Sequence, residues 1–295
     1  MKTEILLFAL VAAQTGYAQT FSESITRELA FEKKSAANAL VIANIFGSVK
    51  VVAYDGDNIQ VEVRKSITAK TDARLEKGKE EVQLGILDRA DTLILFVRDG
   101  CHEYTKEGRT GGHSNWKRRN WGYQNKDQAC RMEYDYRMDF IVKIPATVHL
   151  ELSTINNGDL TIENAAGIVK ASNINGSIRL TNVISQANVH TINGDVDVEY
   201  AKNPGKDCSF YTLNGDINAF FPPGLSAKIS FESFNGSFYT NLLKMEALPA
   251  QVEKARDKDG VKYKISDGHF QVGSGGSLLA FETFNGNVYL KEKRN

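Results

Sequence analysis

Proline, cysteine and tryptophan are scarce in this chain, and neither sign of charge prevails. Only 5 of its 295 residues are Pro, 3 are Cys and 2 are Trp, while 36 Lys and Arg balance 36 Asp and Glu. Balanced charge argues against a general nucleic-acid binder, which needs a positive surplus against phosphate. It also argues against a disordered acidic chain. Because 42% of the residues are hydrophobic, the chain can bury a sizeable core, in one elongated domain or two compact ones.

Long apolar runs are also missing, since no stretch approaches the roughly 20 residues of a transmembrane helix. A short apolar run, Ile5–Ala13, follows Lys2, and the small residues Gly16 and Ala18 come after it. This arrangement predicts a secretory signal peptide over 1–18. We therefore expect an exported protein, located in the periplasm, at the cell surface or outside the cell, with no transmembrane segment.

Three cysteines remain in the exported chain, and export permits a disulfide between two of them. Cys101 and Cys130 bracket a segment of unusual composition, so we predict that these two are bonded and that Cys208 is left over. Their spacing carries no zinc signature.

The strongest signal is a repeat of Asn-Gly in the second half of the chain. After a first copy at 157–158, the glycines follow at intervals of 18 or 21 residues until a last gap of 50. The last five copies are Asn175-Gly176, Asn193-Gly194, Asn214-Gly215, Asn235-Gly236 and Asn285-Gly286. An apolar residue precedes each of these, whereas the first copy has Asn156 at that place.

The repeat predicts strands that meet at equivalent turns. Alternating apolar residues such as Ile178/Leu180 and Val196/Val198 put one strand face into a core. Gly adopts positive φ without a steric clash, and Asn tolerates it better than most residues. We predict an all-β fold, a β-solenoid or β-helix-like repeat with one or two short helices, in which the turn asparagines hydrogen-bond to one another in a ladder. Because Asn-Gly also favours hairpins, an antiparallel β-sandwich or meander is the alternative.

At this point the chain resembles the DUF4097 family of adhesin-like β-strand-repeat proteins. The resemblance rests on the repeats, on the stretch from Ala43 to Val51 (ANIFGSVKV), and on Val272-Gly273-Ser274-Gly275-Gly276 before the last Asn-Gly. It covers most of 38–295. It implies an exported or envelope-facing β-solenoid and supplies no catalytic residues.

The sequence divides the chain into four parts. A signal peptide occupies 1–18, and a β-rich part with one helix near 71–82 occupies 19–98. A disulfide-closed insertion, rich in basic and aromatic residues, spans 99–131. The Asn-Gly β-repeat region fills 132–295, with a helical or hairpin excursion over 242–266.

The insertion 99–131 is the candidate ligand-binding segment. It holds both tryptophans, the run Lys117-Arg118-Arg119 and few aliphatic residues. Trp and Tyr stack on sugar rings, and Arg pairs with carboxylate or phosphate. The predicted ligand-binding residues are Trp116, Trp121, Arg118, Arg119 and Tyr123, and the predicted partner is an envelope or surface glycan, polymer or protein.

No catalytic constellation stands out, so we expect a non-enzymatic protein with an adhesion, envelope-scaffold or envelope-stress role. The chain has no Gly-x-Ser-x-Gly elbow, no His-Glu-x-x-His and no phosphate loop. Asp195 and Asp216 would lie about 5 Å apart in a wound fold, and a calcium ion between them is one alternative to simple turn residues. We otherwise predict no cofactor and no metal. The competing functions are a carbohydrate-active β-helix enzyme and a glycan-binding module acting through 99–131.

Overall fold

The structure, a computed structural model, describes residues 18–105, 122–257, 260–266 and 268–293. The predicted signal peptide lies outside the described residues, apart from Ala18. Within them the chain forms 25 strands and one helix, which confirms the all-β class.

The first nine strands and the helix precede the first Asn-Gly unit. Their bounds are β1 (Gln19–Leu29), β2 (Ala39–Ala43), β3 (Val49–Tyr54), β4 (Ile59–Ala69), α1 (Asp72–Glu81), β5 (Gln83–Arg89), β6 (Thr92–Arg98), β7 (His102–Tyr104), β8 (Tyr123–Asn125) and β9 (Tyr134–Pro145).

The remaining strands belong to the repeat region and its excursion. They are β10 (His149–Thr154), β11 (Leu160–Glu163), β12 (Val169–Asn173), β13 (Ile178–Val183), β14 (Ala187–Asn193), β15 (Val196–Tyr200), β16 (Cys208–Asn214), β17 (Ile217–Phe221), β18 (Ala227–Asn235), β19 (Phe238–Thr240), β20 (Met245–Ala247), β21 (Gln251–Asp257), β22 (Gly260–Ser266), β23 (His269–Val272), β24 (Leu278–Asn285) and β25 (Val288–Glu292).

Two large mixed sheets organise these strands, and neither closes on itself. Sheet A has ten strands in the order β1-β4-β9-β3-β11-β13-β15-β17-β25-β19. Sheet B has eleven, in the order β20-β23-β18-β24-β16-β14-β12-β10-β2-β6-β5. The hairpins β7-β8 and β21-β22 form two small separate sheets.

Successive repeat strands alternate between the two sheets and pair in parallel with their equivalents. In sheet A, Ile178 pairs with Val196, and Val196 pairs with Ile217. These apolar positions are fully buried, because alternate residues of each strand face the other sheet. A meander would pair neighbouring strands in antiparallel fashion, so the meander alternative does not describe these repeats.

One unit of the repeat lies out of chain order. We call a strand of sheet B, the turn after it and the next strand of sheet A a repeat unit. The last unit, 278–292, lies between unit 208–221 and unit 227–240, because β24 pairs with both β16 and β18. The excursion 242–266 carries the chain across this gap as strands that include the hairpin β21-β22, so the hairpin alternative for it is confirmed.

The helix matches its prediction closely. Thr71 caps α1, and its side chain accepts a hydrogen bond from the backbone N–H of Arg74, as N-cap residues do. Nowhere in the described ranges is a helix long and apolar enough to cross a membrane.

Candidate functional site: the repeat corner and the insertion base

The turns of the six Asn-Gly units each carry an asparagine, and these asparagines are hydrogen-bonded in series. We call these stacked turns the repeat corner. After the first, each side-chain amide nitrogen donates to the amide oxygen of the asparagine before it in the stack, at 2.8 to 2.9 Å. The predicted ladder is therefore confirmed. Its order along the stack is Asn156, Asn175, Asn193, Asn214, Asn285 and Asn235.

The first copy differs from its sequence interpretation. Asn156, not Asn157, takes the ladder position, so Ile155 is the apolar residue before it. Asn157 is an extra residue with φ of 59°, in the left-handed region that Asn tolerates. The one-residue insertion explains why this copy breaks the pattern.

A second, buried ladder runs beside the asparagines. Two residues before five of the six ladder asparagines, a buried Thr or Asn side chain donates to the carbonyl of a glycine in the unit below, at 2.8 to 3.4 Å. The donors are Thr154, Asn173, Thr191, Thr212 and Thr283. These bonds satisfy carbonyl groups that would otherwise be buried without a partner, which is costly. Before Asn235 the equivalent residue is Ser233, whose hydroxyl has no partner among the described residues.

A third ladder uses the residue after each glycine. Its side chain accepts a hydrogen bond from the backbone N–H of the equivalent residue in the next unit, at 2.7 to 3.2 Å. The acceptors are Asp159, Ser177, Asp195, Asp216 and Asn287. The carboxylates thus have a structural role as turn acceptors. In the part of the chain that the structure describes, no three His, Cys, Asp or Glu are grouped to hold a metal ion.

Glycine is required at the corner because the turns stack without room for a side chain. At Gly194 and Gly215, φ is 153° and 152°, and a Cβ would collide with the carbonyl oxygen of the glycine below. Any larger residue would force the units apart.

The open end of the stack carries exposed aromatic rings. Phe234 is 74% exposed and stacks on Phe284 with ring centroids 4.8 Å apart. Tyr239 stacks on Tyr289 at 5.1 Å, on the other side of the corner. Sheet A ends at β19, so unit 227–240 is the last layer of this sheet.

A shallow depression beside the first corner holds two cations, and both are paired. Arg137 donates to Asp139 at 2.7 Å, and Lys50 pairs with Glu163 at 2.8 Å. Burial alone would raise the pKa of the Asp139 carboxyl, but bonds from Arg137 and Ser48 hold it below its usual value. These contacts account for both positive charges without an anionic ligand.

The insertion begins and ends at a disulfide. Cys101 and Cys130 are bonded, with 5.5 Å between their Cα atoms, so the predicted pair is confirmed. Cys208 is free and buried. We call residues 99–105 and 122–130, with the tyrosines beneath them, the insertion base.

A buried carboxylate, Asp99, organises this base. Its side chain accepts hydrogen bonds from the backbone N–H groups of Cys101 at 2.9 Å and His102 at 2.6 Å. Its second oxygen lies 2.8 Å from His102 Nδ1 and accepts a 2.7 Å bond from the Tyr136 hydroxyl. Four partners on a fully buried carboxylate fix both the turn and the strand behind it.

Tyr123 fastens the far side of the insertion to sheet B. Its hydroxyl donates to the carbonyl of Ala43 at 2.7 Å and accepts from the N–H of Val97 at 2.8 Å. Only 9% of Tyr123 is exposed. Its ring makes an edge contact with Tyr104, which stacks on Phe96. These contacts give Tyr123 an anchoring role.

Burial sets the ionisation of the tyrosines in this base. It raises the pKa of Tyr136 far above its usual value, and the nearby Asp99 carboxylate raises it further. Burial likewise raises the pKa of Tyr134, helped by its 2.7 Å bond to Glu81. Both phenols are therefore neutral donors throughout the ordinary pH range.

The predicted ligand residues Trp116, Arg118, Arg119 and Trp121 lie outside the described residues, and their role stays a prediction. The residue that sequence reasoning missed is Asp99. Asp99 and Gly100 stand between the apolar strand β6 and Cys101, and because Asp is common in turns its position alone does not mark a site.

Comparison with known proteins places the chain only loosely. It matches no protein-family model and no curated protein. Among solved structures, it is similar to a "putative cell adhesion protein" from Clostridium sporogenes, with 10% identity and a TM-score of 0.35, covering 92% of this chain and 100% of that one. It is also similar to a "putative adhesin" from Bacteroides fragilis, with 11% identity and a TM-score of 0.33, covering 92% of this chain and 97% of that one. At these values the likeness does not identify a function.

Proposed function

We propose that this chain is an exported, non-enzymatic β-repeat protein of the DUF4097 type that binds an acidic envelope or surface glycan through segment 99–131. Its repeat region is a solenoid that serves as the scaffold. The role is adhesion or organisation of the envelope.

The arrangement of the repeats supports a scaffold. Equivalent strands pair in parallel, and ladders of side-chain hydrogen bonds join the successive Asn-Gly units. The carboxylates that follow the turn glycines accept backbone N–H bonds. A glycosidase would instead need two carboxyl groups facing a substrate across a cleft.

The observation that carries the proposal is the construction of the insertion base. A disulfide and a four-partner buried Asp99 hold both ends of segment 101–130. A loop without a function would not need such an anchor, because lengthening an unrestrained surface loop costs little free energy of folding. A segment whose two ends are fixed loses less conformational entropy on binding than one with free ends.

The residue types within segment 101–130 select the class of ligand. Trp116 and Trp121 offer large apolar ring faces, and Arg118 and Arg119 offer planar donors that match carboxylate or phosphate. An acidic polysaccharide presents both sugar rings and carboxylates, so it fits this combination better than a neutral one.

The test compares charge loss in the insertion with equal charge loss elsewhere. Arg118→Gln/Arg119→Gln and Trp116→Ala/Trp121→Ala are measured against the wild-type chain and against Lys202→Gln/Lys206→Gln, whose lysines are exposed outside the insertion. The probes are alginate as an acidic polysaccharide and dextran as a neutral one. We expect both insertion variants to lose about tenfold or more in alginate affinity, as removal of contact residues does, and the lysine control to change little.

Three results would contradict the proposal. Equal alginate binding by all variants would remove the insertion from the site. Equal binding of alginate and dextran would remove the charge requirement. Release of reducing ends from either polysaccharide by the wild-type protein would favour the carbohydrate-active enzyme instead.

A further inference from the structure

Asn-Gly is a chemically labile pair, and this chain repeats it six times. The backbone nitrogen of Gly can attack the side-chain carbonyl carbon of Asn. The new C–N bond closes a five-membered succinimide, and the side-chain nitrogen leaves as ammonia. Water then opens the ring, giving Asp or isoaspartate in place of Asn. No oxidant, reductant or enzyme is required.

Four of the six pairs are held on both reacting groups. The backbone N–H groups of Gly176, Gly194, Gly215 and Gly286 each donate to an asparagine carbonyl in the neighbouring unit, at 2.9 to 3.1 Å. The preceding asparagines donate through one side-chain atom and accept through the other. Because both groups must leave these bonds before they can meet, the ladder opposes the reaction at these sites.

The pair at the open end lacks part of this protection. Asn235 donates to Asn285 at 2.9 Å, but within the described ranges no group donates to its own side-chain oxygen. The N–H of Gly236 has no hydrogen-bond partner among the described residues. Asn235 and Gly236 are both exposed, so water reaches them freely.

The pair at the first corner is also unprotected, for a different reason. The inserted Asn157 lies outside the ladder, and its exposed side chain makes no hydrogen bond within the described ranges. The N–H of Gly158 likewise has no partner there. This second site depends on the one-residue insertion and not on the end of the stack.

We propose that Asn157 and Asn235 are sites of spontaneous succinimide formation and deamidation in the folded protein, and that the ladder protects Asn175, Asn193, Asn214 and Asn285. The repeat corner thus sorts six chemically identical dipeptides into two reactive and four protected ones.

The two reactive sites differ in their structural consequence. Conversion of Asn157 adds a negative charge outside the ladder. Conversion of Asn235 replaces a donor nitrogen with a carboxylate oxygen that faces the acceptor oxygen of Asn285, so the outermost rung is lost and becomes repulsive. Modification at Asn235 is therefore a covalent change that loosens unit 227–240 from unit 278–292.

The experiment follows all six sites in one sample. The purified chain is incubated at mildly alkaline pH, folded or in urea, and peptides are mapped by mass spectrometry with enzymatic detection of isoaspartate. In urea we expect all six sites to react at similar rates. In the folded protein, Asn157 and Asn235 should react roughly tenfold or more faster than the other four, since two hydrogen bonds oppose the reaction there.

Matched variants separate the two sites. Asn157→Ser should abolish the first product and leave the rate at Asn235 unchanged. After conversion of Asn235, hydrogen exchange should increase in 227–240 and not in 169–200. Equal rates at all six sites in the folded protein would overturn the proposal, as would reaction at a protected site ahead of both exposed ones.

Discussion

The insertion base and the repeat corner are both held by polar side chains, but they distribute their hydrogen bonds in opposite ways. At the base, four bonds converge on the single buried carboxylate of Asp99. At the corner, the bonds are spread over three ladders that run through the successive units, and most of the asparagine rungs are exposed. Concentrated bonds make one residue indispensable, whereas distributed bonds spread the loss over many small contributions. Removal of one hydrogen-bonding residue should therefore destabilise the insertion base strongly and the repeat corner only slightly.

The largest effect should come from Asp99→Ala. The change leaves two backbone N–H groups, the Tyr136 hydroxyl and His102 without their acceptor, and we expect a loss of about 3–5 kcal/mol in the free energy of unfolding. Urea unfolding monitored by tyrosine fluorescence and circular dichroism measures it. The exposed Asp88→Ala is the control, and a comparable loss there would show that Asp99 is not special.

The disulfide should rank next. It closes a loop with a sequence separation of 29, and the chain-entropy relation gives about 3–4 kcal/mol for a loop of this length. Cys101→Ser/Cys130→Ser should lower the free energy of unfolding by this amount and lower the melting temperature accordingly. A reductant should have the same effect on the wild-type chain. If the reductant shifts the double variant as well, the effect does not arise from this bond.

Alkaline pH should destabilise the insertion base before the repeat corner. The folded-state pKa values of Tyr123, Tyr134 and Tyr136 lie above the ordinary value of 10.0, so the neutral phenols contribute stability that is complete below pH 10. This stability is lost as pH rises above 10, by up to about 1.4 kcal/mol per pH unit for each tyrosine. Hydrogen exchange between pH 9 and 11 should rise first at residues 99–105. The comparison segment is 169–183, which contains no tyrosine, and earlier opening there would contradict this order.

The smallest effect should come from one rung of the buried ladder. Thr191→Val removes the hydroxyl that donates to the Gly176 carbonyl at 2.9 Å and should cost about 1–2 kcal/mol, because the carbonyl is left without a partner. Thr161→Val, on the outward-facing side of β11, is the matched control. A loss of stability as large as that of Asp99→Ala would mean that the stability of the repeat corner is not spread over many hydrogen bonds.

Sequence patterns predict the corner well because it repeats. Six copies of one local solution make the asparagine ladder, the alternating core residues and the need for glycine visible together, and the cap at Thr71 follows from ordinary helix rules. The base occurs once, and its partners are distant in sequence, since Tyr136 is 37 residues from Asp99. No local pattern announces such a site, so the cysteines alone could be paired in advance.

The position of unit 278–292 in the stack could not be predicted from the sequence either. Spacing along the chain counts residues and contains no information on stacking order, and Asn285 fits on Asn214 as well as Asn235 would. β24 pairs in register with both β16 and β18, so its place in the stack depends on contacts between strands and not on a pattern along the chain.

That inserted unit has a consequence for how the molecule is made. A polypeptide leaves the ribosome with its N-terminus first, so residues 227–240 exist before their permanent neighbour, 278–292, has been synthesised. This part of the stack therefore cannot form by simple addition of layers during translation. Its completion must wait until β24 and β25 have been made, and a chain cut short before Leu278 would lack an inner layer of both sheets.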